Sequence, residues 1–111
     1  PVLIQVKTTS GSRTRVGWHM NVKHESITDK DLFYCFVNLG EDNPQVYVIP
    51  AKVVAKVIKK GHETWLKTPG SKGQKHNETD MRRISNSHRL MNEYALDGWM
   101  DKYLENWELL G

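Results

Sequence analysis

LFYCFVNLGEDNPQVYVIPAKVVAKVIKKG, from Leu32 to Gly61, changes hydrophobic period along its length, and that change decides the fold. Leu32 to Leu39 is nearly continuous in apolar character, as expected of a central strand buried on both faces. Gly40 to Pro44 has turn composition, and Gln45 to Ile49 resumes strand character. The close spacing of the two runs makes an antiparallel hairpin the economical topology. After Pro50 the period becomes helical. Val53, Val54, Val57 and Ile58 fall on one face, Lys52, Lys56, Lys59 and Lys60 look outward, and Gly61 supplies a stop, after which His62 to Leu66 either extend the helix beyond a break or form a separate turn carrying Trp65 inward. Valine is an indifferent helix former, so packing on the sheet must hold the segment helical. The resulting expectation is an α/β (α+β) domain, with a small mixed, largely antiparallel sheet packed by helices.

Toward the N-terminus, Val2 to Lys7 reads as a short strand with Leu3, Gln5 and Lys7 on one side and Val2, Ile4 and Val6 on the other. The apolar Ile4 and Val6 are expected to face the core. Residues 8–14 form a polar connection. Arg15 to Val22 alternates, with Val16, Trp18, Met20 and Val22 sharing a face. Toward the C-terminus, residues 67–80 are polar, basic at their centre and aperiodic, and Met81 to Ile84 suits a short strand. Trp99, Met100, Tyr103, Leu104, Trp107 and Leu110 recur at spacings of three and four. This predicts a helix over about 98–109 with a broad aromatic stripe, covering either the sheet or a second subunit.

A chain of 111 residues is long enough to bury a core as a single domain spanning 1–111. Its 38% apolar and 26% charged content exclude a disordered or membrane-embedded class. No apolar run reaches the roughly 18 residues that span a bilayer, which points to a soluble protein of the cytoplasm. The lone Cys35 permits no disulfide framework and reads as a small buried hydrophobe. Charge is uneven: residues 1–89 carry a formal +7 and residues 90–111 a formal −4. Such asymmetry suits a polyanion partner on the basic part, or self-association through the acidic tail.

Gln5 and Lys7 stand two apart on a strand, so both side chains project from one face. A carboxamide and an ammonium so placed can meet one phosphate, with the cation offsetting charge that develops on the phosphoryl oxygens. The stretch Ile4-Gln5-Val6-Lys7-Thr8-Thr9 is followed by a Trp18-bearing strand, the Leu32–Leu39 run, and Val46–Pro50 leading into the Val53-Val54 helix. It resembles the PD-(D/E)XK, or restriction-endonuclease-like, nuclease superfamily in its Gln-Xaa-Lys variant. The resemblance covers about residues 2–60 and implies the latter half of such a fold. It places Gln5 at the second metal ligand, holding Mg²⁺, and Lys7 at the catalytic lysine. The family's first Asp motif has no room in the four residues before Gln5. The missing acid would come from a preceding segment or a partner subunit, or cleavage has been lost. Asp29, Asp31, Glu78 and Asp80 are the in-chain carboxylates able to fold back.

Arg13, Arg15, Lys72, Lys75, Arg82, Arg83 and Arg89 together form a candidate electrostatic footprint for double-stranded DNA. Thr68 to Lys75 resembles a phosphate loop only in composition, lacking the Gly-Lys-Ser/Thr order. His76, Asp80 and His88 are a candidate composite metal set, without zinc-like spacing. Three function classes follow. The first is a degenerate or partial PD-(D/E)XK-like domain gripping DNA backbone without cleavage; the second is a Mg²⁺-dependent DNA endonuclease completed by acids from elsewhere. The third is a structural or interaction domain that homodimerises through the aromatic C-terminal helix.

Overall fold

A computed structural model describes residues 1–10, 16–40, 42–86 and 95–111. Five strands and one α-helix follow one another as β1 (Leu3–Thr9), β2 (Trp18–Asn21), β3 (Leu32–Asn38), β4 (Gln45–Pro50), α1 (Ala51–Lys67) and β5 (Met81–Ile84). β3 is the centre of a three-stranded mixed sheet, parallel to β1 and antiparallel to β4, while β2 and β5 form a separate antiparallel ribbon. This is the small mixed α+β architecture the sequence suggests, with the hairpin and the helix where the periodicity puts them.

The central run is apolar on both sides because both sides are covered. Tyr34 and Phe36 pair in register with Ile49 and Tyr47, and this face meets Val54, Val57 and Ile58 of α1. Trp18, Met20 and Ile84 of the β2–β5 ribbon complete the main core. Trp18 lies 5.4 Å from the Phe36 ring, nearly edge-on to Tyr47 at 6.0 Å, and donates its indole N–H to Val37 O at 3.0 Å. Its large apolar area is therefore buried with its one polar atom satisfied. Phe33, Cys35 and Val48 build a smaller cluster on the opposite face, packed by Val46 and Leu110.

Several expectations need correction. Ile4 and Val6 do not face the main core: they stand in register with Phe33 and Cys35 on the thinner face and remain 48% and 58% exposed. The side shared with the main core is that of Gln5 and Lys7. The helix does not stop at Gly61 but continues to Lys67. An interior glycine costs a helix only about 1 kcal/mol, and the added turns are anchored by Trp65, whose ring stacks between His62 at 5.6 Å and His76 at 4.0 Å.

The stripe between Trp99 and Leu110 is not an α-helix. It forms two 3-10 turns, Asp101–Tyr103 and Trp107–Leu110, separated by Glu105 at φ 51. The sheet edge outcompetes the helix for the backbone: Glu105 N–H bonds Val46 O at 2.8 Å, and Leu104 bridges Tyr47 across β4. Asn86 fixes the entry to this tail, accepting from Met100 N–H at 2.6 Å and donating to Asp101 at 2.7 Å. Met100 is buried, whereas Trp107 is 47% exposed, so only part of the expected aromatic payload is covered.

Candidate functional site

The odd-numbered side of β1 places Gln5 opposite Tyr34 and Lys7 opposite Phe36, so the amide and the ammonium do share a face. Gln5 is exposed and Lys7 half-buried. Next to them lies His24, in the 3-10 turn Val22–Ser26 that Asn21 opens with a reciprocal capping box. His24 Nδ1 accepts the Asn21 backbone N–H at 2.9 Å, which leaves the ring proton on Nε2. Burial first, and then the charge of Lys7, lower the His24 pKa, so the imidazole is held neutral. Its ring stands edge-on to Tyr34 at 6.2 Å. The Tyr34 hydroxyl is buried without a hydrogen-bond partner among the described residues, and burial raises its pKa. The cluster thus offers an amide, an ammonium and two neutral ring groups, a set suited to receiving an anion.

The carboxylates do not gather there. Asp31 adjoins β1 through its backbone, accepting from Leu3 N–H at 2.8 Å, but its side chain and that of Asp29 are exposed, and Asp29 Oδ1 is occupied by the Asp31 N–H at 2.9 Å. Glu78 is turned to His62 at 2.6 Å and toward Arg82 at 3.9 Å, and its pKa is lowered chiefly by the His62 hydrogen bond. Asp80 joins the Val22 N–H through its backbone oxygen. Among the described residues no three His, Cys, Asp or Glu side chains form a group able to hold a metal ion. Among the described residues Gln5 therefore has no carboxylates beside it to share a hard divalent cation such as Mg²⁺. His76 is engaged with Trp65, and His88, the third member of the expected composite set, lies outside the described residues.

The expected basic footprint divides. Lys72 and Lys75 are exposed in the segment after α1, which is tied back to the helix by the His76–Trp65 stack and the Glu78–His62 bond. This segment closes on itself. Gly70 N–H bonds Gln74 O at 2.8 Å and Lys72 N–H bonds the Gln74 side chain at 2.9 Å, so those donors are already filled from within. The lysine side chains remain outward. Arg83 is exposed and lies against Gly17, where an added Cβ would collide with its guanidinium. Arg82 is different. Strand alternation turns it inward beside Met20, 7% exposed, where it pairs with Glu25 and donates to Thr79 O at 2.6 Å and Met81 O at 2.9 Å. Its Nε bond to Glu25 holds the ribbon to the Val22–Ser26 turn, and its Nη1 is taken up by the two carbonyls. Arg13, Arg15 and Arg89 lie outside the described residues.

A further basic surface was absent from the expected footprint. Lys52, Lys56 and Lys59 of α1 are exposed at spacings of four and three, with no carboxylate partner among the described residues. Lys67 is exposed at the last turn, and Lys60 faces Glu63 at 3.6 Å. The signal was present in the outward lysines of the helical period, but it resembles the ordinary solvated face of an amphipathic helix. Comparison with family models, curated proteins and solved structures finds no match to this chain.

Proposed function

We propose that this is a cytoplasmic domain that grips the phosphate backbone of double-stranded DNA without cleaving it. The carrying observation is the row of exposed lysines Lys52, Lys56 and Lys59 on α1, without a carboxylate partner among the described residues, continued by Lys67, Lys72 and Lys75. An ordinary surface helix mixes both charge signs at such spacings for i, i+4 support. This one carries five lysines and a single glutamate. Contacts of this kind give affinity through counterion release and little sequence preference. Gln5 and Lys7, with the half-buried ammonium beside neutral His24, supply a second place for a phosphate on the same side of the sheet as α1. In this reading the domain is a degenerate or partial relative of the PD-(D/E)XK nucleases, a kinship that rests on the resemblance of residues 2–60.

Each lysine that contacts a phosphate steepens the fall of log K with log salt by about 0.9. Fluorescence anisotropy on a labelled duplex should give a linear slope. Replacing Lys52, Lys56 and Lys59 together by Ala should reduce it by about 2 to 3. A duplex that fails to bind at low salt, or a slope unchanged in the triple variant, overturns the proposal.

One observation favours a second reading, a Mg²⁺-dependent endonuclease: Gln5 and Lys7 do project from one face. Its acids would come from another segment or subunit. Under it, plasmid nicking in Mg²⁺ is expected and disappears in Lys7→Ala; nicking that persists in that variant removes Lys7 from the chemistry.

A further inference from the structure

The two edges of the three-stranded sheet are treated differently. The outer edge of β4 is covered by the chain's own tail, through the Glu105 N–H bond to Val46 O and the Leu104–Tyr47 bridge. The outer edge of β1 pairs with nothing among the described residues. It also lacks the usual protections: no proline interrupts Leu3–Thr9, Lys7 is its single charge, and Leu3, Ile4 and Val6 are all about half exposed or more.

The hydrogen bonds at its ends define which backbone groups are open. Leu3 N–H points to Asp31 O at 2.8 Å and Thr9 O accepts from Leu39 N–H at 2.7 Å, both toward β3. Alternate residues of a strand direct their N–H and C=O to opposite edges. The odd residues of β1 therefore serve β3, and Ile4, Val6 and Thr8 present donors and acceptors outward.

We propose that this edge pairs antiparallel with the same strand of a second copy, joining two three-stranded sheets into one of six strands about a two-fold axis at Gln5. The strand is self-complementary in that register. Ile4 faces Val6 of the partner copy twice, each pair exchanging backbone bonds, on the face where Phe33 and Cys35 already provide an apolar floor. Lys7 lies opposite the partner copy's Leu3, on whose side chain its methylene stem can rest. The two Lys7 ammonium groups are kept roughly 14 Å apart along the strands, beyond a Debye length at ordinary salt. A register centred on Val6 would set Ile4 against Thr8 and bring the lysines close together, so apolar matching and charge both favour the Gln5 centre over that one. The interface is distinct from the C-terminal aromatic segment and brings the two Gln5–Lys7 pairs onto one continuous face.

Sedimentation equilibrium of the whole chain tests this. The wild type is expected to approach twice the monomer mass as concentration rises. Val6→Pro should hold it monomeric with an unchanged circular dichroism spectrum, because the N–H lost there points away from β3 and proline is tolerated at such edge positions. Ile4→Lys, which changes only a side chain, should do the same and guards against misfolding of the proline variant. Trp107→Ala should leave the dimer intact. A wild type monomeric at all concentrations, a dimer that survives both β1 substitutions, or one dissolved by Trp107→Ala overturns the proposal. DNA binding by α1 is measured separately and does not depend on the outcome.

Discussion

At the scale of single residues, burial rather than residue type separates the roles. Trp18 and Trp107 are the same side chain in opposite settings: the first sits in the core between Phe36 and Tyr47, the second is about half exposed and its indole N–H bonds the Glu105 side chain. Trp18→Ala is expected to cost about 3 to 5 kcal/mol in a denaturant melt, and Trp107→Ala about 0.5 kcal/mol or less. Equal losses would contradict the packing. His24 gives a pH signature. Its folded pKa lies below its ordinary value of 6.5, so the unfolded chain binds the proton more readily and stability rises with pH in that interval. Stability is complete above the unfolded value and declines as pH falls below it. Urea melts from about pH 7 to about pH 5 should show the decline, and His24→Gln should flatten it. A profile identical in the two proteins would remove His24 as its source. Arg82 shows how far such roles are legible beforehand. Alternation along Met81–Ile84 puts it on the Ile84 side, but Glu25, the carboxylate that makes its burial tolerable, lies 57 residues away in sequence.

At the scale of elements, the segments whose period agreed with their surroundings were readable. β3, β4 and the first turns of α1 are apolar on the faces they bury, and each stands where its pattern places it. The tail failed for a definite reason. Spacings of three and four fit an α-helix and successive 3-10 turns almost equally over a dozen residues, and the unpaired edge of β4 supplied a stronger partner for the backbone than the tail itself. β1 failed differently. Its alternation was legible, but an apolar side chain does not say whether the chain itself covers it, and the richer core formed on the side of Gln5 and Lys7. The Gln5–Lys7 juxtaposition follows from strand geometry and was accessible from spacing alone. The neighbouring His24 and Tyr34 were not, because a 3-10 turn and a parallel pairing bring them there.

At the scale of the molecule, the sheet has a covered side, a thinly covered side, one capped edge and one edge left unpaired by the described residues. The helix on the covered side carries its lysines outward. No helix among the described residues is long and apolar enough to cross a membrane. Under the proposed function, the exposed basic helix and its following segment are the contact for a polyanion, while Leu104 of the C-terminal segment lies against β4. Where DNA meets the surface is the central claim, and amide chemical-shift mapping during titration with a short duplex tests it most directly. The account predicts that the largest shifts fall at Lys52, Lys56, Lys59, Lys67, Lys72 and Lys75, with Arg82 and Trp107 nearly still. Shifts concentrated on the C-terminal turns, with the α1 lysines unmoved, would contradict it.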